Sequence, residues 1–364
     1  MISTLDPHSE FMDSRKYKDL KDDTEGAFGG VGLVISMKEG HITVVSPMDE
    51  SPGANAGIQP GDRITKIEGK STDKMTVGDT VKRLRGLPDT SVTITVLRPS
   101  NGESKDHKLT RALIPVDTVK DFNGKREFPL LPGKIGYVRL MQFGEKTSSE
   151  LDGALKKLDE KGMQSLVLDL RGNPGGLLDQ AVKVCEKFLP RGKLVVSTEG
   201  RNAAQKSEYH AGGRDHRLKL PMALLVNTGS ASASEIVAGC LQDLQRAIVV
   251  GEQTFGKGSV QSILPLPDNN ALRLTTAKYY TPSHKVIHEK GITPDIIVPM
   301  SDEDERDLLL RRSPGGVDSL EEKDRARVEK VRDVQLDRAT DILKGISLYS
   351  QRQNASEKVA ANAK

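Results

Sequence analysis

The stretch VNTGSASASEIVAG, Val226–Gly239, runs from an apolar segment through alternating serines and alanines into a helix-like one. A strand that turns directly into a helix is the building unit of a parallel α/β sheet, so this corner sets the fold class. Three hydroxyls crowd it, those of Ser230, Ser232 and Ser234. Ser232 and Glu235 have the S-x-x-E spacing of a capping box, and capping is the commoner use of such a serine. The same corner would also lift a serine to the top of the sheet, beside a helix N-terminus that favours negative charge. The corner alone leaves both readings open.

Outward from it the same rhythm repeats. KIGYVRL, SLVLDLRG, MALLVNTG, RAIVVGEQT and ALRLTTAKYY read as strands. Helical patterns over 148–161, 178–189 and 234–245 lie between several of them, which predicts an α/β domain with a mixed, mainly parallel sheet. Upstream the texture differs. GGVGLVI, HITVVSP, DRITKIEG and SVTITVLRP are short β-branched runs bounded by Gly and Pro, with two helix-like pieces among them. The expected organisation is a lead-in over 1–27, a small α+β domain over 28–115 and the α/β domain over 116–300. A charged helical extension over 301–350, helical across 318–347, and a polar, disordered tail over 351–364 complete it.

The 364 residues suit two or three domains at roughly 100–200 residues each. The 54 basic and 51 acidic residues leave a net charge of +3, too small to point to nucleic acid or an anionic membrane. Two cysteines, Cys185 and Cys240, sit in apolar helical patterns and read as buried thiols. No apolar run approaches the roughly 18 residues of a membrane span, and the N-terminus has no apolar signal core.

Two further motifs could carry chemistry. In LVLDLRGNPGG, Leu166–Gly176, adjacent glycines after a buried strand can turn N–H groups toward one point, a nest for an oxyanion, although an ordinary βα turn uses the same residues. A serine nucleophile needs a base. None of the seven histidines, at 8, 41, 107, 210, 216, 284 and 288, stands in a triad context, and HExxH is missing, so no metal site is expected. Lysine is the alternative. GEQTFGKGSVQ places Lys257 between two glycines after an apolar strand, where desolvation would favour the neutral amine. A solvated loop lysine is the plain competitor.

Together DLRGNPGG, GSASASEIVAG, GEQTFGKGSVQ and LTTAKYYTPS…GITPDI resemble the C-terminal processing peptidases, also called tail-specific proteases. STLDPHSEFM resembles the lead-in of that family, and 28–115 its PDZ domain; the likeness covers about residues 3–300 in the family's order. The resemblance implies a crotonase/ClpP-like α/β protease core, an inserted PDZ domain built as a small α+β barrel, and a helical C-terminal extension. It implies a Ser-Lys dyad of Ser232 and Lys257, with Gln261 orienting the amine. The oxyanion donors would be the N–H groups of Ala233 and of a glycine in NPGG, Gly176 rather than Gly175. Gly30, Val31, Gly32 and Leu33 would take the carboxylate of a polypeptide substrate's C-terminus. No cofactor or metal, a homodimer left open, and a bacterial periplasmic or cell-envelope location complete what it implies, with membrane association only through an N-terminal anchor that this chain does not show. A PDZ adaptor with an inert core and an esterase using the same dyad are the rivals. The intact Ser232, Lys257 and Gln261 speak against the first, and the PDZ-like region against the second.

Overall fold

The computed structural model describes residues 2–202, 205–213, 217–312, 317, 320 and 322–362; His216 and parts of the extension and tail lie outside these. The chain forms two compact units, one of 1–25, 117–301 and 333–364 and the other of 26–116 and 302–332.

The first unit is built on a six-stranded sheet ordered Val119–Lys120, Ile135–Leu140, Ser165–Asp169, Met222–Val226, Ile248–Gly251, Ile296–Ile297. All neighbours in it run parallel except the first pair. The central strands are buried along their length, as a parallel sheet covered on both faces requires. One face, with Val138, Leu140, Leu166, Leu168, Leu224 and Val226, packs on helices Thr147–Glu160, Leu178–Glu186 and Ala233–Asp243. The other, with Tyr137, Val167, Leu225 and Val250, packs on Ala339 and Leu343 of helix Val334–Asn362. A second, five-stranded sheet is antiparallel and centres on Ala271–Tyr280, with Ser259–Pro265 along one side. Cys185 and Cys240 are free and buried in the core.

In the second unit, strands Leu33–Lys38, His41–Pro47, Arg63–Ile67, Ser91–Arg98 and Glu103–Thr110 form one antiparallel sheet, with Lys70–Ser71 on Arg63–Ile67. Ala27–Gly30 pairs separately with Ala112–Pro115. Helix Val77–Leu84 starts at Thr76 with a reciprocal capping box to Asp79. Val31, Ile42, Ile64, Ile94 and Leu109 fill the core.

The C-terminal region departs from the sequence reading. The extension is not one helix over 318–347. Helices Asp302–Arg312 and Glu322–Lys330 group with the second unit, and Val334–Asn362 belongs to the first. The break falls where Asp333 takes the N-cap role, its carboxylate accepting from the Leu336 N–H at 3.0 Å. Nor is the polar tail disordered from 351, because the helix continues to Asn362. Residues 351–362 contain no Gly or Pro and several good helix formers, so a helix already nucleated and packed upstream propagates through them. No helix among the described residues is long and apolar enough to cross a membrane.

Candidate active site

Three loops leave the carboxyl ends of three adjacent parallel strands: Leu170–Leu177 after Asp169, Asn227–Ser232 after Val226, and Glu252–Gly258 after Gly251. Open parallel sheets present their functional groups at that edge. All the motifs read as chemical therefore meet at one place.

Within SASAS the three serines separate. Ser230 and Ser234 are fully buried, and their hydroxyls donate to the Leu170 carbonyl at 2.8 Å and the Asn173 carbonyl at 2.9 Å. Ser232 alone is only partly buried. It occupies the N-cap position of helix Ala233–Asp243, and the Glu235 carboxylate accepts its backbone N–H at 2.9 Å. The Ser232 hydroxyl makes no side-chain cap bond, so only the Glu235 half of the expected box carries a bond. The Ser232 backbone, at φ 54° and ψ −113°, is far from the extended conformation of an ordinary cap. Such a conformation persists only where its surroundings enforce it, and it is typical of functional corners.

The RGNPGG loop packs against this corner. Asn173 accepts the Ala231 N–H at 3.0 Å through its carbonyl and the Gly175 N–H at 2.9 Å through its side chain. Gly175, at φ +98°, lies so near that a Cβ there would meet Ser232 Cβ at 2.8 Å and the Ala233 nitrogen at 2.9 Å. Gly176, at φ +142°, is pinned against Phe143 in the same way. The Gly175 N–H is thus consumed by Asn173, whereas the N–H groups of Gly176 and Ala233 carry no hydrogen bond among the described residues.

Glu235 joins the serine corner to the lysine loop, a role its capping-box spacing does not reveal. Its fully buried carboxylate accepts from the N–H of Ser232 (2.9 Å), the N–H of Lys257 (2.8 Å), the N–H of Gly256 (2.7 Å) and the Thr254 hydroxyl (2.5 Å). Burial pushes its pKa up from the usual carboxylate value, against the pull of these donors. Lys257 is half-buried. Desolvation, aided by the positive charge of Arg273 and opposed by Glu235, lowers its pKa below the ordinary 10.5. Its flanking glycines are required by close packing: a Cβ on Gly258 would meet the His288 nitrogen at 2.1 Å.

Two expected bonds are not made. Among the described residues no hydrogen bond joins Lys257 Nζ to Ser232 Oγ or to Gln261, and Gln261 Nε2 is buried without a partner. Catalytic hydrogen bonds are often long in a free enzyme and tighten when substrate arrives. In the second unit, Gly30 ends one strand and Leu33 begins the next. Between them Gly32 has φ +66°, and a Cβ there would meet Ser51 Cβ at 2.2 Å. The Val31 and Gly32 carbonyls accept from Gly53 and Met48, both at 2.8 Å, while the Val31 and Gly32 N–H groups stay unpaired among the described residues.

Comparison with known proteins matches residues 134–298 to peptidase family S41 and residues 43–98 to a PDZ domain. A carboxy-terminal-processing protease of Bartonella bacilliformis is 48% identical over 302 residues, 82% of this chain and 68% of that protein. The chain belongs to peptidase family S41. A CtpA-like serine protease of Staphylococcus aureus is 40% identical over 82% of this chain and 58% of its own length, so the chain spans little more than half of that relative. A solved structure of a Bacteroides fragilis protein assigned to the S41 proteases shares the fold, with a TM-score of 0.54 at 17% identity over 94% of this chain and 88% of that one. The S41 match contains all three loops, and the PDZ match lies inside the second unit.

Proposed function

We propose that this S41 peptidase cleaves polypeptides by acyl transfer, with Ser232 as nucleophile and Lys257 as its base. Neutral Lys257 takes the Ser232 hydroxyl proton as Oγ attacks the scissile carbonyl. The same proton then passes to the leaving amine, an ester forms on Ser232, and water releases the second product. The N–H groups of Ala233 and Gly176 receive the oxyanion, and Gln261 orients the lysine amine once substrate is bound. The observation that carries the assignment is the contrast within one motif. Ser230 and Ser234 are buried and committed to backbone carbonyls, while Ser232 is accessible on a strained corner against the glycine loop.

The PDZ domain selects substrates by their C-termini. The unpaired N–H groups at Val31 and Gly32, with Gly30 and Leu33 at either side, suit a terminal carboxylate, and strand Leu33–Lys38 suits β-augmentation by the residues before it. The family resemblance puts this activity in the periplasm or cell envelope of a bacterium. Incubation with an unfolded protein, followed by mass spectrometry of the fragments, tests the proposal. Wild type should cleave and Ser232→Ala should not; equal cleavage by both would end it.

A further inference from the structure

Arg171 opens the RGNPGG loop, yet its side chain points away from that loop's chemistry into a buried polar cluster. Its guanidinium is 6% exposed and uses its donors on two carboxylates. Nε and Nη2 reach Asp169 at 3.0 and 2.7 Å, and Nη1 and Nη2 reach Asp333 at 2.8 Å each. Asp169 also accepts from the Tyr137 hydroxyl at 2.5 Å. Nη1 further donates to Gln335 Oε1 at 3.1 Å. The Gln335 side chain is itself buried, and its Nε2 donates to the Val298 carbonyl at 2.8 Å and to Glu252 at 3.3 Å. Glu252 opens the loop that bears Lys257.

Asp333 and Gln335 come from the first residues of the C-terminal helical segment, more than 160 positions beyond Arg171. One short stretch, Asp333-Val334-Gln335, thus touches the first residue of the glycine loop's arm and the first residue of the lysine loop. A buried guanidinium gripped by two carboxylates has one geometry, and loss of either carboxylate strips charge-assisted bonds from it and leaves its donors to find new partners. A shift of the Arg171 backbone would be passed to Gly175 and Gly176, which have no room to absorb it beside Ser232 and Phe143.

We infer that Asp333 and Gln335 are positioning residues for the proposed active site, fixing the glycine and lysine loops relative to Ser232. The C-terminal helix is then part of the catalytic core and not an accessory extension. This rests on the assignment of Ser232, Lys257 and Gly176 above. A positioning role and a merely structural one differ in what a folded variant does. Misplacement of oxyanion donors or base by an ångström or less lowers turnover steeply while peptide binding is spared.

The test is steady-state kinetics of the full chain on one peptide, with circular dichroism confirming the fold, for wild type, Asp333→Asn, Gln335→Met and Ser232→Ala. Asn keeps the N-cap acceptor at 333 while removing the charge. Folded Asp333→Asn should lose at least tenfold in kcat with KM within about twofold, Gln335→Met should lose less in the same pattern, and Asp333→Glu should recover part of the loss. Folded variants with wild-type kcat would overturn the inference, as would a loss carried by KM alone. If Asp333→Asn is recovered unfolded, Gln335→Met decides by the same criterion. Recovery of both only as unfolded chain would assign the segment to stability and overturn the positioning role. An active Ser232→Ala would remove the catalytic reading beneath it. Inactive Ser232→Ala beside fully active Asp333→Asn would remove this inference alone.

Discussion

The two halves of the site are held very differently. On the serine side, Asn173, Asn227, Ser230, Ser234 and Glu235 bind the loops to one another through buried side-chain hydrogen bonds. On the lysine side the backbone is equally fixed, since Glu235 accepts the N–H groups of Gly256 and Lys257. The side chains there are not: Gln261 Nε2 and Ser259 Oγ are buried without partners, and Lys257 Nζ makes no ion pair among the described residues. Buried polar groups are normally satisfied, and these two stand near the proposed base. Arg139 Nε, behind the glycine loop, is likewise unpaired among the described residues, although its Nη2 is held by the Arg171 carbonyl. Groups that meet developing charge gain from being rigid in advance. A group that must accept and return a proton has to exchange partners during the cycle. The contrast follows that division of labour.

Removing the proposed nucleophile tests the comparison hardest. Ser232→Ala should lose several orders of magnitude in kcat, whereas Ser230→Ala should keep measurable turnover and instead lose about 1–3 kcal/mol in chemical denaturation, for its severed bond to the Leu170 carbonyl. Lys257→Arg should be as inactive as Lys257→Ala, because a guanidinium does not deprotonate in a protein. Activity requires the neutral amine and burial lowers the pKa, so kcat/KM should rise with pH and level off below the ordinary lysine value of 10.5. A profile flat across neutral and alkaline pH, or an active Lys257→Arg, would remove the lysine from the chemistry.

Glu235→Gln strikes the link between the halves. It puts an NH2 group against two donors where an oxygen accepted both, at about 1–3 kcal/mol for each buried group left unpaired. A tenfold or greater loss of kcat is expected, and wild-type kinetics would show that the two loops need no such tie. Amidating a substrate's C-terminus should raise KM roughly ten- to hundredfold with kcat little changed, from loss of charge-assisted bonds worth about 1.5–3 kcal/mol. Equal kcat/KM for acid and amide would mean that the PDZ loop does not read the chain end. Gln261→Ala should have the smallest effect, a several-fold fall in kcat, since it takes away an orienting group and leaves the proton acceptor.

How much of this was legible follows sequence distance. The parallel strands, their helices and the turns RGNPGG and NTGSASAS at strand ends are local patterns and legible as such, whereas the union of Lys257 with Ser232 rests on the family resemblance. The capping-box spacing of Ser232 and Glu235 was equally plain. That the same carboxylate also holds Lys257, 22 residues on, was not, because nothing local records a bond across two strands. Asp333 and Gln335 were missed for the same reason and looked like two more polar residues in a charged helix. Strand Glu103–Thr110, ESKDHKLT, was invisible for another: it lies at a sheet edge, is mostly exposed and so carries no apolar alternation.

The most direct measurement is covalent. A serine-directed fluorophosphonate forms its adduct with whichever hydroxyl is activated, and peptide mapping by mass spectrometry locates it. The account predicts a single adduct on Ser232, lost in Ser232→Ala and slowed by orders of magnitude in Lys257→Arg. Labelling of Ser230 or Ser234, or undiminished labelling of Ser232 in Lys257→Arg, would contradict it.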